Sequence, residues 1–111
     1  MVKTSISFPA GLGYITYEKD YIAKTLESRL QIVPGFERLA NVIKLIRNES
    51  EEKTSFIFSE NEKGIELEIH IVVLPRTQVI AVSADIKELL FYIFKHDLGI
   101  ELINVKVYVE A

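Results

Sequence analysis

The sequence predicts an α+β fold of two layers, an antiparallel-rich mixed sheet with two main helices on one of its faces. Three observations carry this expectation. Residues 65–73 alternate apolar and polar side chains, two longer stretches repeat apolar residues at helical spacing, and residues 103–109 alternate again. A strand whose polar residues all point one way belongs to a sheet covered on one side only. The helices are the available cover.

Taken in order, Gly13-Tyr14-Ile15-Thr16 reads as a short extended piece leading into the first helix. Thr16 is its candidate N-cap, with Glu18 and Asp20 in a first turn where the helix dipole favours anions. Ile22, Ala23, Leu26, Leu30 and Val33 form one apolar stripe. Pro34-Gly35 ends the helix, because proline biases its predecessor away from helical geometry and glycine permits the turn. Residues 36–53 leave two readings open. Phe36, Leu39, Ile43 and Ile46 fit a short helix, whereas Val42-Ile43 and Leu45-Ile46 fit irregular strand. Asn48-Glu49-Ser50-Glu51-Glu52-Lys53 reads as a polar loop.

Phe56-Ile57-Phe58 is a strand and Glu60-Asn61-Glu62-Lys63-Gly64 a turn. In the following strand Ile65, Leu67, Ile69 and Ile71 point one way while Glu66, Glu68 and His70 point the other, until Pro75 stops it. A second helix is expected from about residue 78 to 97, with Thr77 as cap and Val79, Val82, Ile86, Leu89, Leu90 and Ile93 as its stripe. Gly99 ends it. Ile103, Val105, Val107 and Val109 then face inward from a closing strand, with Lys106, Tyr108 and Glu110 outward. The expected core is Ile22, Leu26, Leu30, Leu67, Ile69, Ile71, Ile86, Leu90, Ile93, Val105 and Val107. Residues 1–111 read as a single domain, with no repeat, low-complexity tract or linker.

Composition bounds the function. A chain of 111 residues buries roughly 65% of its unfolded surface, enough for a core without metal or disulfide help. Thirteen basic against sixteen acidic residues give a net charge of −3, with no broad pull toward nucleic acid or anionic lipid. The absence of cysteine excludes disulfides, thiolate metal sites and thiol nucleophiles, and fits a reducing cytoplasm. No apolar stretch follows Lys3, which argues against a secretory signal. The apolar runs 71–74 and 89–94 fall far short of the ~18 residues a membrane span needs. A partner would have to bring this chain to a membrane.

Four groupings invite a chemical reading. Glu66, Glu68 and His70 share one strand face at about 6.6–6.8 Å spacing, but zinc wants three or four ligands at ~2 Å, and a solvated outer face is the simpler expectation. Gly11-Leu12-Gly13 lacks the third glycine of a dinucleotide loop, Thr16 standing there, and lacks the P-loop lysine. It reads as a flexible entry to a strand. His96 lies beside Asp97 at a helix C-terminus with no nucleophile near it in sequence, a place where the dipole alone favours a cationic ring. Tyr108 beside Lys106 suggests base stacking in a single-stranded nucleic-acid-binding module, yet Glu66, Glu68 and Glu110 are expected on the same face and would repel phosphate. No catalytic, cofactor-binding or metal-binding residue is assigned.

The second helix carries more apolar surface than one sheet can use. Phe94 falls at the edge of its buried arc, Phe91 beyond it, and Tyr92 on the opposite flank, leaving chiefly Glu88 and Lys95 as a charged strip. A packed helix needs a stripe little wider than about 100°, and surplus aromatic surface marks interaction sites. Phe91, Tyr92 and Phe94 are therefore the candidate interface. The alternative is that residues 36–53 or the N-terminal strand cover Phe91 and Phe94 within the chain.

Several pieces occur in an order that resembles the alkaline shock protein family, the general-stress and cell-envelope-stress proteins of Gram-positive and related bacteria. Gly13-Tyr14-Ile15 is similar to its opening G-x-I strand, and Val33-Pro34-Gly35-Phe36 to the V-x-G-V after its helix. Residues 64–73 resemble its long alternating strand. Leu98-Gly99-Ile100 through Ile103-Asn104-Val105-Lys106-Val107 resembles its T-G-L…V-N-V-x-V ending, the most specific of the set. Together they run from Gly13 to Val107. Leu74-Pro75-Arg76 replaces the family's Tyr-Gly type lead into the second helix, and an apolar run replaces a glycine-bearing stretch after the first. The resemblance implies a non-enzymatic, cytoplasmic protein with no cofactor and no catalytic residues to carry over. It also implies self-association into a homo-oligomer, or a small membrane-anchored protein partner that holds the chain at the membrane periphery.

Overall fold

The computed structural model describes residues 5–46 and 50–110. Its centre is the long strand β7, Gly64–Val73, built on the alternating run. On one side β7 pairs with the parallel strand β8, Leu102–Glu110. On the other it pairs antiparallel with β6, Phe56–Asn61, through residues 64–69, and with β3, Phe36–Leu39, through residues 71–73. The sheet is mixed and mostly antiparallel, and the fold is α+β as expected.

Two helices supply the second layer: α1, Lys19–Leu30, and α2, Val79–Tyr92. Ile22, Leu26 and Leu30 of α1 meet Ile86 and Leu90 of α2 over Leu67, Ile69 and Ile71 in one hydrophobic cluster. Of the expected core only Val107 is not fully buried; it packs half-buried against the rest. The core also takes in Phe8, Phe36, Phe56, Phe94 and Leu98.

Several local expectations are corrected. Thr16 caps no helix. It lies in β2, Gly13–Glu18, which pairs antiparallel with β1, Ser5–Ala10, and its hydroxyl is 2.8 Å from that of Ser7. Gly11 and Leu12 are the turn of this hairpin, so the glycines serve a tight reversal rather than a loose strand entry. The hairpin makes Glu18 the residue before α1, without a side-chain cap.

Residues 36–53 resolve as strand. After β3 comes the hairpin of β4, Val42–Ile46, and β5, Ser50–Thr54, in register from Val42↔Thr54 to Ile46↔Ser50. The stretch expected as a polar loop thus forms β5 from Ser50 onward, while its positions 48 and 49 lie outside the described residues. The mouth of the hairpin opens where β7 changes neighbours. At that point the His70 N–H donates to Ser55 O (2.8 Å) and its carbonyl accepts from Ala40 N–H (2.9 Å).

Two glycines place α2. Gly35 has φ 93°, and a Cβ there would lie 2.5 Å from Thr77 Cγ2 and 2.8 Å from Val82 Cγ2. Only glycine lets the turn after α1 approach the start of α2 so closely. Thr77 is thereby a packing residue, and the helix begins after Gln78 without a side-chain cap. At the far end α2 widens into a π-helical turn, Ile93–Leu98, which closes on Gly99 at φ 72°. An i→i+5 turn holds an extra residue. Here it keeps Phe94 and Leu98 in the core and leaves Asp97 to pair with Arg29 of α1.

Candidate functional site

Two surfaces hold the residues singled out in the sequence. The first is the outer face of the sheet. The register sets Glu66 beside Asn104, Glu68 beside Lys106, His70 beside Tyr108 and Val72 beside Glu110. Period-2 geometry therefore brings the three β7 residues and the outward residues of β8 onto one surface, as their alternation implies.

This face is not simply solvated. His70 is only 3% exposed, although it points away from the apolar core. Its Nδ1 lies 2.9 Å from Glu110 Oε2 and its Nε2 lies 2.8 Å from Glu68 Oε2. The Tyr108 ring stacks on the imidazole with centroids 4.9 Å apart. Each ring nitrogen thus has a carboxylate oxygen at hydrogen-bond distance, so the polar atoms of the buried ring are met within the sheet face. The expectation of a solvated His70 is therefore corrected, because an aromatic ring and two carboxylates replace its water.

Glu66 takes a different set of partners. Asn61 Nδ2 donates to its Oε2 at 3.3 Å and Asn104 Nδ2 to its Oε1 at 3.1 Å. Both nitrogens of His70 are already committed, and Glu66 is turned toward amides, so the three β7 side chains do not converge on a common point. Among the described residues no group of three or more His, Asp or Glu side chains is arranged to hold a metal ion.

The second surface is the flank of α2. Phe91 is 39% and Tyr92 51% exposed. Phe94 is not: it is 0% exposed and its ring lies 5.6 Å from that of Phe58, which in turn meets Phe8 of β1 at 4.9 Å. Phe58 of β6 covers Phe94 from within the chain, and Phe8 of the N-terminal strand packs on Phe58 in turn. That leaves Phe91 and Tyr92 as the candidate interface pair. His96 is exposed with its ring 4.4 Å from Tyr92, while the neighbouring Asp97 is held by Arg29.

Sequence reasoning placed Glu66, Glu68, His70 and Glu110 on one outer face but missed that Glu68 and Glu110 close on His70. The only available signal was the paired alternation of two strands whose parallel neighbourhood brings residues 40 positions apart together. No helix of the described residues is long and apolar enough to cross a membrane. No family model matches the chain, and no curated protein or solved structure matches it either.

Proposed function

We propose that this chain is a non-enzymatic scaffold protein that works by self-association or by docking on a protein partner, of the kind the resemblance to the alkaline shock protein family implies. The observation that carries the reading is the exposed pair Phe91 and Tyr92 on α2. Aromatic side chains left outside a well-filled core mark an interaction surface. The ordered motifs ending at Val107 supply the cytoplasmic, envelope-stress setting and the membrane-anchored partner. The outer sheet face favours this reading over single-stranded nucleic acid, because Glu66, Glu68 and Glu110 share it with Tyr108 and Lys106 and repel phosphate.

Light scattering and a pull-down from the native host test the proposal together. Phe91→Ser combined with Tyr92→Lys should lower the assembled mass or abolish partner capture while the melting temperature stays near that of the parent. An unchanged mass and unchanged capture would remove α2 as the interface. Gel mobility with single-stranded RNA at low salt should show no shift.

A further inference from the structure

The sheet ends in two edges of unlike character. The β6 edge runs out through Ser59, Glu60 and Asn61, and Phe8 of the β1–β2 hairpin packs on Phe58 in its middle. The β8 edge is different. Among the described residues β8 pairs only with β7, so the backbone groups of its other side have no strand to meet. Natural edges are usually blunted by proline, several lysines, bulges or short length. Here the strand is nine residues long and carries one lysine and no proline. Its one irregularity lies at the start, where the register against β7 shifts between Ile65 and Glu66. From Asn104 to Glu110 the strand is regular, and Tyr108 and Val109 are exposed along it.

We propose that β8 is a pairing edge on which a second copy of this chain adds its own β8, antiparallel about Val107, joining two sheets into one. The inference rests on the self-association half of the function proposed above and names its surface. Val107 is the midpoint of the regular run, so a two-fold there overlaps all seven residues from Asn104 to Glu110. That register is also self-complementary. Lys106 falls opposite Tyr108 of the second copy, an ammonium against an aromatic ring. Asn104 falls opposite Glu110, an amide donor against a carboxylate, and Val105 opposite the exposed Val109. Moving the axis one residue back, to Lys106, would put two ammonium groups directly opposite each other, which destabilises a strand pair. The contact is isologous, so it closes as a dimer. A separate contact through Phe91 and Tyr92 would link such dimers into larger assemblies.

The chain has no cysteine, so Val107→Cys carries its sole thiol. Directly opposed antiparallel residues have Cα atoms about 4.5–5.5 Å apart, within the roughly 4.4–6.8 Å a disulfide spans. The full-length parent should scatter as a dimer or a multiple of it, and Val107→Cys should convert to a disulfide-linked dimer under mild oxidation. Tyr108→Lys, which sets like charges opposite each other, should reduce the parent dimer to monomer, and adding Lys106→Glu should restore it. A parent that assembles while Val107→Cys fails to cross-link, or that assembles equally well with Tyr108→Lys, overturns the β8 edge and leaves self-association standing. A strictly monomeric parent overturns both.

Discussion

Both faces of β7 exclude water, the inner one along its length and the outer one at His70, and they do so by different physics. On the inner face Leu67, Ile69 and Ile71 lie under α1 and α2, and their burial needs only apolar surface of the right shape. On the outer face His70 is buried almost as completely, by two carboxylates at hydrogen-bond distance and one stacked ring. Apolar closure is non-directional and scales with area. Polar closure depends on individual partners, and loses much of its value when one is removed. One strand thus carries a face set by apolar volume and a face set by donor and acceptor identity.

The strongest way to break this contrast is to exchange the faces. Asn61 pairs with Gly64 across a turn of only Glu62 and Lys63, and Lys63 N–H donates to Asn61 Oδ1 at 2.8 Å. Deleting Lys63 forces either a new turn or a one-residue slip, and a slip turns Leu67, Ile69 and Ile71 outward. We expect the deletion to abolish cooperative thermal unfolding. A melt like that of the parent would show that the register is set elsewhere.

Smaller changes sharpen the contrast. Ile69→Ala opens a cavity under the helices and should cost about 2–5 kcal/mol in denaturant unfolding. His70→Leu keeps bulk but removes both ring nitrogens, and should cost about 1–3 kcal/mol. Its partners are partly exposed and can recover water. A His70→Leu variant as stable as the parent would show that the carboxylates do not depend on the ring. Glu66→Thr should change stability by less than about 0.5 kcal/mol, the usual range for surface substitutions. A larger loss would mean that the bonds from Asn61 and Asn104 help to hold the register.

The same contrast explains what could be read in advance. The inner face was legible because alternation in 65–73 and the stripes of both helices are local patterns, each written in neighbouring residues. The state of His70 was not, because Glu110 and Tyr108 reach it from a strand that becomes its neighbour only after the α2 crossover. β5 was illegible for a related reason. Ser50–Thr54 is polar and low in strand propensity, and it is extended because β4 offers a partner ladder. Propensity yields to such context. Helical phase alone puts Phe94 at the rim of the buried arc, and its cover, Phe58 with Phe8 behind it, comes from segments whose arrangement the local pattern does not reveal.

The meeting of Ala40 and Ser55 on a single residue of β7 closes the mouth of the β4–β5 hairpin where β3 gives way to β6. Its two stems leave the sheet at one point, where the His70 N–H and carbonyl bind them from a common residue. His70 is therefore a junction: its backbone joins the β3 and β6 sides of the sheet, and its imidazole ties β7 to the end of β8.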